Sequence, residues 1–247
     1  MKPRLALLCS LFCCSLVAFL FGSTALAGSH PPIGGGGPPY QTQPGTRELP
    51  PRYTPPPGPN AKARVAYWHE LALRLNALDH TAPLPGSVAL EAEQLGPTRT
   101  SRVMAIVQIA IYDALNAILK RYPGYTGQLP ALADSSQDAA IAQAAHDTLA
   151  ALYPRQAARL DAWLREDLAR LPEGRARLAG IDVGRRAAAA ILALRASDGI
   201  YDEEPLVGED YEVGYAPGVW RPDPVSNSPI ALGAYWQRLT PFVLPSI

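Results

Sequence analysis

The chain has 247 residues, with 22 basic and 22 acidic side chains and 48% hydrophobic residues, so its formal net charge is zero. Setting aside Lys2 and Arg4 leaves 20 basic against 22 acidic residues, which is not the electrostatic footprint of a protein that binds nucleic acid or an anionic membrane. All three cysteines, Cys9, Cys13 and Cys14, lie near the N-terminus. Disulfide staples, thiolate metal sites and cysteine nucleophiles are therefore excluded from the remainder of the chain.

Lys2 and Arg4 precede an apolar run from Leu5 to Phe21, and Ala25-Leu26-Ala27 supplies a small-x-small cleavage pattern before Gly28. This pattern predicts a signal peptide over 1–27 and an exported protein, periplasmic or extracellular. A retained membrane anchor is the alternative, since the apolar run is about as long as the shortest spanning helix. Residues 28–60 hold 11 prolines and 7 glycines. Proline removes backbone donors and glycine adds backbone entropy, so this stretch is expected to be a flexible, partly polyproline-like linker.

Helical periodicity begins at Ala61. The first predicted helix runs to about Asp79, with Val65, Trp68, Leu71, Ala72, Leu75 and Leu78 on one face, before Pro83 and Pro85 break the chain. The second follows Pro97-Thr98 and ends near Tyr122-Pro123-Gly124. Its stretch from Ser101 to Ala117 is apolar almost all round, apart from a stripe of Gln108, Tyr112, Asn116 and Lys120 with Asp113 beside it. Such a helix is expected in the middle of a bundle, its polar stripe paired because unpaired buried polar groups are costly.

Ser135, three residues before Asp138, predicts the start of a third, Ala-rich helix that continues to Pro154. A fourth, from about Arg155 to Leu171, places Ala157, Leu160, Leu164, Leu168 and Leu171 on one side. The fifth runs from about Gly174 to Ser197 and stops at Asp198-Gly199, where glycine suits a left-handed cap. Gly180 and Gly184, four apart on that helix, mark a close approach between helices. Beyond Gly199 the periodicity is lost. Residues 200–247 carry seven prolines with Tyr201, Tyr211, Tyr215, Trp220, Tyr235, Trp236 and Phe242, too aromatic for a disordered tail. The expected fold is all-α: a bundle of about five helices over 61–199, overlaid by an extended aromatic and proline-rich strap over 200–247.

Sequence motifs for chemistry are sparse. His69-Glu70 starts like a zinc-protease HExxH, but Leu73 stands where the second histidine belongs. His146 and Asp147 point about 100° apart on a helix, so they do not chelate one ion together, and a capped or solvated histidine is expected. His30 falls in the linker and His80 in a loop. The chain has no GxSxG, no GxxxxGK[ST] and no dinucleotide fingerprint.

Several segments together resemble the N-terminal half of the vanadium-dependent haloperoxidase-like proteins, relatives of the type 2 phosphatidic acid phosphatases. They are Ser101-Arg102 through Tyr112-Asp113-Ala114-Leu115-Asn116-Ala117; Ala144-Ala145-His146-Asp147 through Leu152-Tyr153-Pro154; Leu194-Arg195-Ala196-Ser197-Asp198-Gly199; Pro217-Gly218-Val219-Trp220-Arg221-Pro222; and Leu239-Thr240-Pro241-Phe242. The resemblance implies an α-helical architecture whose full-length members bind vanadate, or a substrate phosphate, among cationic side chains and histidines. The motifs that do so in the family are missing here. Neither Lys62 nor Lys120 has an arginine seven positions on, and there is no Pro-Ser-Gly-His. Ser101-Arg102 echoes the family's Ser-Arg segment, but Gln108 stands at the histidine position, and a carboxamide cannot attack phosphorus or serve as the usual vanadium ligand.

No catalytic, cofactor-binding or metal-ligating residue is therefore assigned, and no cofactor is expected in this chain; vanadate belongs to a full-length family member. The leading expectation is the N-terminal part of a longer haloperoxidase-like or acid-phosphatase-like protein, inactive alone and truncated before the catalytic half. Its partner would be that missing C-terminal half or a second copy. The alternative is a free-standing exported helical module that binds or scaffolds a protein partner. Under either reading Gln108, Tyr112, Asp113 and Asn116 are expected to form a hydrogen-bonded seam between neighbouring helices.

Overall fold

The structure, a computed structural model, describes residues 54–81, 93–200 and 204–244. The predicted signal peptide, the linker up to residue 53, the Pro83–Pro85 break and Tyr201 lie outside the described residues. The described residues form five α-helices: α1 (Ala61–Asp79), α2 (Pro97–Leu119), α3 (Gln137–Leu152), α4 (Ala157–Leu168) and α5 (Arg175–Leu194). Single 3-10 turns span Pro154–Gln156 and Trp236–Arg238. The only β pairing among the described residues is two isolated bridges, Leu206 with Ile230 and Val207 with Tyr211. The expected all-α class is what the chain adopts.

Local chemistry sets the ends of the helices. The Asn60 side chain accepts from the Ala63 N–H at the start of α1, and Pro97 occupies the first turn of α2, where its missing N–H costs nothing. Ser136, not Ser135, caps α3, its hydroxyl accepting from Ala139 N–H at 3.2 Å. Ser135 is instead buried with no partner for its Oγ. α2 stops at Leu119, earlier than expected, because Lys120 turns left-handed (φ 52°) while its N–H caps the Asn116 carbonyl. α5 ends at Leu194, and Gly199, at φ 95°, supplies the left-handed turn a few residues later. Pro55 and Pro56 are already buried, so packing begins ahead of the predicted linker boundary at Asn60.

The arrangement corrects one expectation. α3, not α2, is the centre of the bundle, packing against α5, α2, α1 and α4. Every residue from Asp138 to His146 is buried. The most apolar 18-residue window of α2 is only 56% buried: Val103, Ile106, Val107, Ala110, Ile111 and Ala114 face the core, while Met104, Ile109 and Leu115 are partly buried and Tyr112 and Leu119 exposed. Hydrophobicity singles out α2, but enclosure on all sides needs small residues. Ala139, Ala140, Ala142, Ala144 and Ala145 on α3 let neighbouring backbones come close, so a modest apolar area per residue is packed at interior density.

α5 exploits this. A Cβ on Gly180 would lie 2.3 Å from the Ser136 carbonyl oxygen, and one on Gly184 would lie 2.6 Å from that of Ala140 and 2.8 Å from Gln143 Cβ. The two glycines form the close approach expected from their spacing, and Ser136 N–H donates to the Ala176 carbonyl at 2.8 Å across the same contact. Gly184→Ala must push α5 away from α3 and is expected to destabilise the protein by about 1–3 kcal/mol. Urea unfolding measures this, with solvent-facing Ala189→Ser as the control expected to stay within about 0.5 kcal/mol.

Candidate functional site

The polar stripe of α2 does not form the expected seam between helices. It organises the loop that follows its own helix. Asp113, 1% exposed, accepts from Tyr125 N–H at 2.6 Å, Thr126 N–H at 2.9 Å and the Thr126 hydroxyl at 2.6 Å. Asn116 accepts from Tyr122 N–H at 2.8 Å and donates to the Tyr122 carbonyl. Tyr112 donates to the Pro123 carbonyl at 2.8 Å. Only Gln108 reaches another helix, its amide 3.2 Å from His69 Nδ1 on α1 at an exposed position. A cavity of about 340 Å³ opens beside this loop, lined by Asp113, Asn116, Lys120, Tyr122 and Gln128 among others. Its polar core is committed: the Asp113 and Asn116 side chains already have their partners.

The buried charges that periodicity did not predict are more informative. Arg102 is 3% exposed and Asp198 is 2% exposed. Arg102 donates from Nε to Asp198 Oδ2 at 2.8 Å and from NH2 to Oδ1 at 3.1 Å, a bidentate pair, and also to the Arg195 carbonyl at 2.9 Å. Arg195, likewise buried, donates to the Thr240 carbonyl at 2.6 Å, the Pro241 carbonyl at 3.2 Å and the Tyr125 hydroxyl at 3.0 Å. Its guanidinium lies 3.5 Å from the centroid of the Phe242 ring. Tyr125 in turn donates to the Phe242 carbonyl at 2.6 Å, and Thr240 N–H to the Asp198 carbonyl at 2.9 Å. One network thus joins α2, the end of α5, the loop after α2 and residues 240–242.

A second network centres on Arg64 of α1, which is fully buried. Its Nε contacts both Asp167 oxygens at 2.9 and 3.0 Å, and NH1 pairs with Asp138 at the start of α3. Trp68 Nε1–H adds a bond to Asp167 at 2.8 Å. Burial raises the Asp167 pKa above the usual carboxylate range; the Arg64 charge and the bonds from Trp68 and Arg64 oppose this without reversing it, and Asp138 adds to the rise. The sequence carried a signal for this cluster, since Arg64 and Asp167 interrupt the apolar faces of α1 and α4 at helical register.

His146 is not solvated; both of its ring nitrogens are capped by carboxylates. It is 9% exposed, with Nδ1 2.7 Å from Asp147 Oδ1 and Nε2 2.9 Å from Asp161 Oδ1. Neighbours that point apart from their Cα atoms still meet when the ring turns back. The carboxylates sit on opposite nitrogens, so they do not converge on one ion. Among the described residues no three His, Cys, Asp or Glu side chains are placed as metal ligands. His80 has a structural role at the other end of α1. Gly96 N–H donates to its Nε2 at 3.0 Å and its Nδ1 lies 2.9 Å from the Asn76 carbonyl, which fixes the Nδ1–H tautomer.

These donors do not fit an oxyanion such as vanadate. The four buried arginines among the described residues, Arg64, Arg74, Arg102 and Arg195, are engaged with carboxylates, carbonyls or rings, His146 is held between two carboxylates, and the cavity beside α2 is lined by Lys120 and the Asp113 carboxylate but by no histidine. No protein-family model, curated protein or solved structure matches the chain.

Truncating one partner of a buried ion pair strands the other charge. Asp198→Ala is therefore expected to cost about 3–5 kcal/mol. Asp182→Ala, which breaks the exposed i,i+4 pair with Arg186, is expected to cost less than about 1 kcal/mol. Chemical denaturation of the two variants side by side checks the contrast.

Proposed function

We propose that this chain is a non-catalytic helical domain of a vanadium-dependent haloperoxidase-like or acid-phosphatase-like exported protein, serving as the scaffold on which a separate catalytic part is built. The observation that carries the reading is where the resembling segments lie. Arg102 of the first, Arg195 and Asp198 of the third, and Thr240, Pro241 and Phe242 of the last meet in one buried network. Segments far apart in sequence that share such a network act as one structural unit, and side chains spent on one another are not free to hold a substrate. The unevenly covered α2, with Tyr112 and Leu119 exposed and Met104, Ile109 and Leu115 part-buried, supports a surface that takes a further protein element.

The same open face favours a second reading, a free-standing exported module that binds a protein partner. The two differ in what the partner is: the catalytic part of the same architecture in the first, an unrelated protein in the second.

The purified chain is expected to show no halide oxidation with hydrogen peroxide and no phosphate-ester hydrolysis, with or without orthovanadate. Vanadate-dependent turnover by the pure protein would overturn the scaffold reading. Monodisperse behaviour with a cooperative thermal transition favours the free-standing module. Concentration-dependent association that weakens on replacing Leu119 by a polar residue favours an incomplete unit.

A further inference from the structure

We propose that α4 is a pH-operated latch, docked on α3 while His146 bridges Asp147 and Asp161 as an imidazolium and released from α3 when that ring loses a proton, with the rest of the bundle still folded. The protonation state follows from geometry. Both ring nitrogens lie within hydrogen-bond distance of carboxylate oxygens, at 2.7 and 2.9 Å. An ionised carboxylate only accepts, so both nitrogens must carry hydrogen and the ring must be charged. Asp147 and Asp161 are the charged groups facing the ring from α3 and α4, and the Gln143 amide donates to Asp147 at 2.7 Å. Losing the Nε2 proton leaves a ring lone pair against Asp161 and turns the bond between the two helices into a repulsion, and losing the Nδ1 proton sets a lone pair against Asp147 and takes the charge out of the bond to Asp161.

Release is local because α4 has little else holding it. Among its residues Leu160 is the one fully buried apolar side chain; Trp163, Leu164 and Leu168 are partly buried against the core. Its principal helix neighbour is α3. The remaining core comes from α1, α2, α3 and α5.

The second polar tether, at the far end of α4, is also built to let go. Docked Asp167 faces Arg64 from α1 and Asp138 from α3, with Tyr67 nearby on α1 and Glu166 and Arg170 beside it on the exposed side. Two carboxylates share one guanidinium, an excess of one negative charge in a buried place. When α4 leaves, Arg64 and Asp138 remain as a one-to-one pair, so no stranded charge opposes the opening. Trp68 gains access to water for its Nε1–H.

The pKa shifts agree in sign. Burial pushes the His146 pKa down, but the bonds and charges of Asp147 and Asp161 together outweigh it, and the net shift is upward. A raised folded-state pKa gives stability that is complete below the unfolded value and is lost as pH rises through the folded one. Asp167 is shifted upward as well, so its contribution also declines with rising pH. α4 is therefore held while His146 is charged between ionised carboxylates and loosened as pH rises through the His146 titration.

The test is hydrogen–deuterium exchange of the full chain between about pH 5 and pH 9, with rates corrected for the intrinsic pH dependence and α5 as internal reference. The expected result is a fall of at least tenfold in α4 protection relative to α5, its midpoint coinciding with the His146 titration followed by the imidazole proton resonances. Asp161→Asn alters a side chain that is 53% exposed, so the variant keeps the fold, and it should abolish the step. His146→Gln should leave α4 without a step at that titration. A constant ratio of α4 to α5 protection through the His146 titration would overturn the proposal, as would an unchanged step in Asp161→Asn.

Discussion

The constraint on which the rest of this structure depends is the enclosure of α3. A helix with neighbours on every side cannot carry large side chains all round, because neighbouring axes must then move apart and leave voids. Alanines on α3 and two glycines on α5 solve this by letting backbone meet backbone, with Gly180 and Gly184 seated against the carbonyls of Ser136 and Ala140. The larger side chains of α1 and α2, among them Trp68, Leu71, Leu75, Ile106 and Val107, then fill the space around this spine. The fold spends its bulk at the flanks and its small residues at the centre.

Enclosure also explains the buried charges. Helices packed around a narrow spine have ends that must be fixed relative to one another, and apolar contact is non-directional. The bidentate Arg102–Asp198 pair locks α2 to the end of α5, and Arg195 ties that junction to residues 240–242. Arg64 does the same at the other pole, holding α1 to the start of α3 and the end of α4. The one-to-one Arg102–Asp198 pair is a weak source of net stability but strongly penalises its own disruption, so it specifies geometry more than it adds free energy.

How much of this was legible in the sequence differs by level. Helix count, order and approximate bounds followed from periodicity and from breakers such as Pro97, Pro154 and Gly174. The Gly180–Gly184 spacing announced the close contact of α5. The identity of the central helix was not legible, because hydrophobicity marks Ser101–Ala117 while centrality depends on side-chain size, which an apolar count ignores. The polar stripe of α2 read as a seam between helices, but the chain reverses just after Leu119, and the nearest unpaired backbone groups belong to its own loop. Arg102–Asp198 and Arg64–Asp167 span 96 and 103 residues, and no local pattern pairs charges across such distances. At His146 the helical spacing tells that ring and Asp147 do not share one ion, but not that the ring turns back to Asp147 or that Asp161 on another helix holds its far nitrogen.

The centrality of α3 can be read directly from native-state hydrogen exchange at one fixed pH, resolved by residue. Amides in the core of a cooperative bundle open only with global unfolding, whereas those of flanking helices open by cheaper local routes. If α3 is the spine, the slowest-exchanging amides of the protein lie between Ala140 and Leu149, and those in the middle of α2 exchange faster. Slowest exchange in α2 between Val103 and Ala114, with α3 opening first, would contradict this architecture.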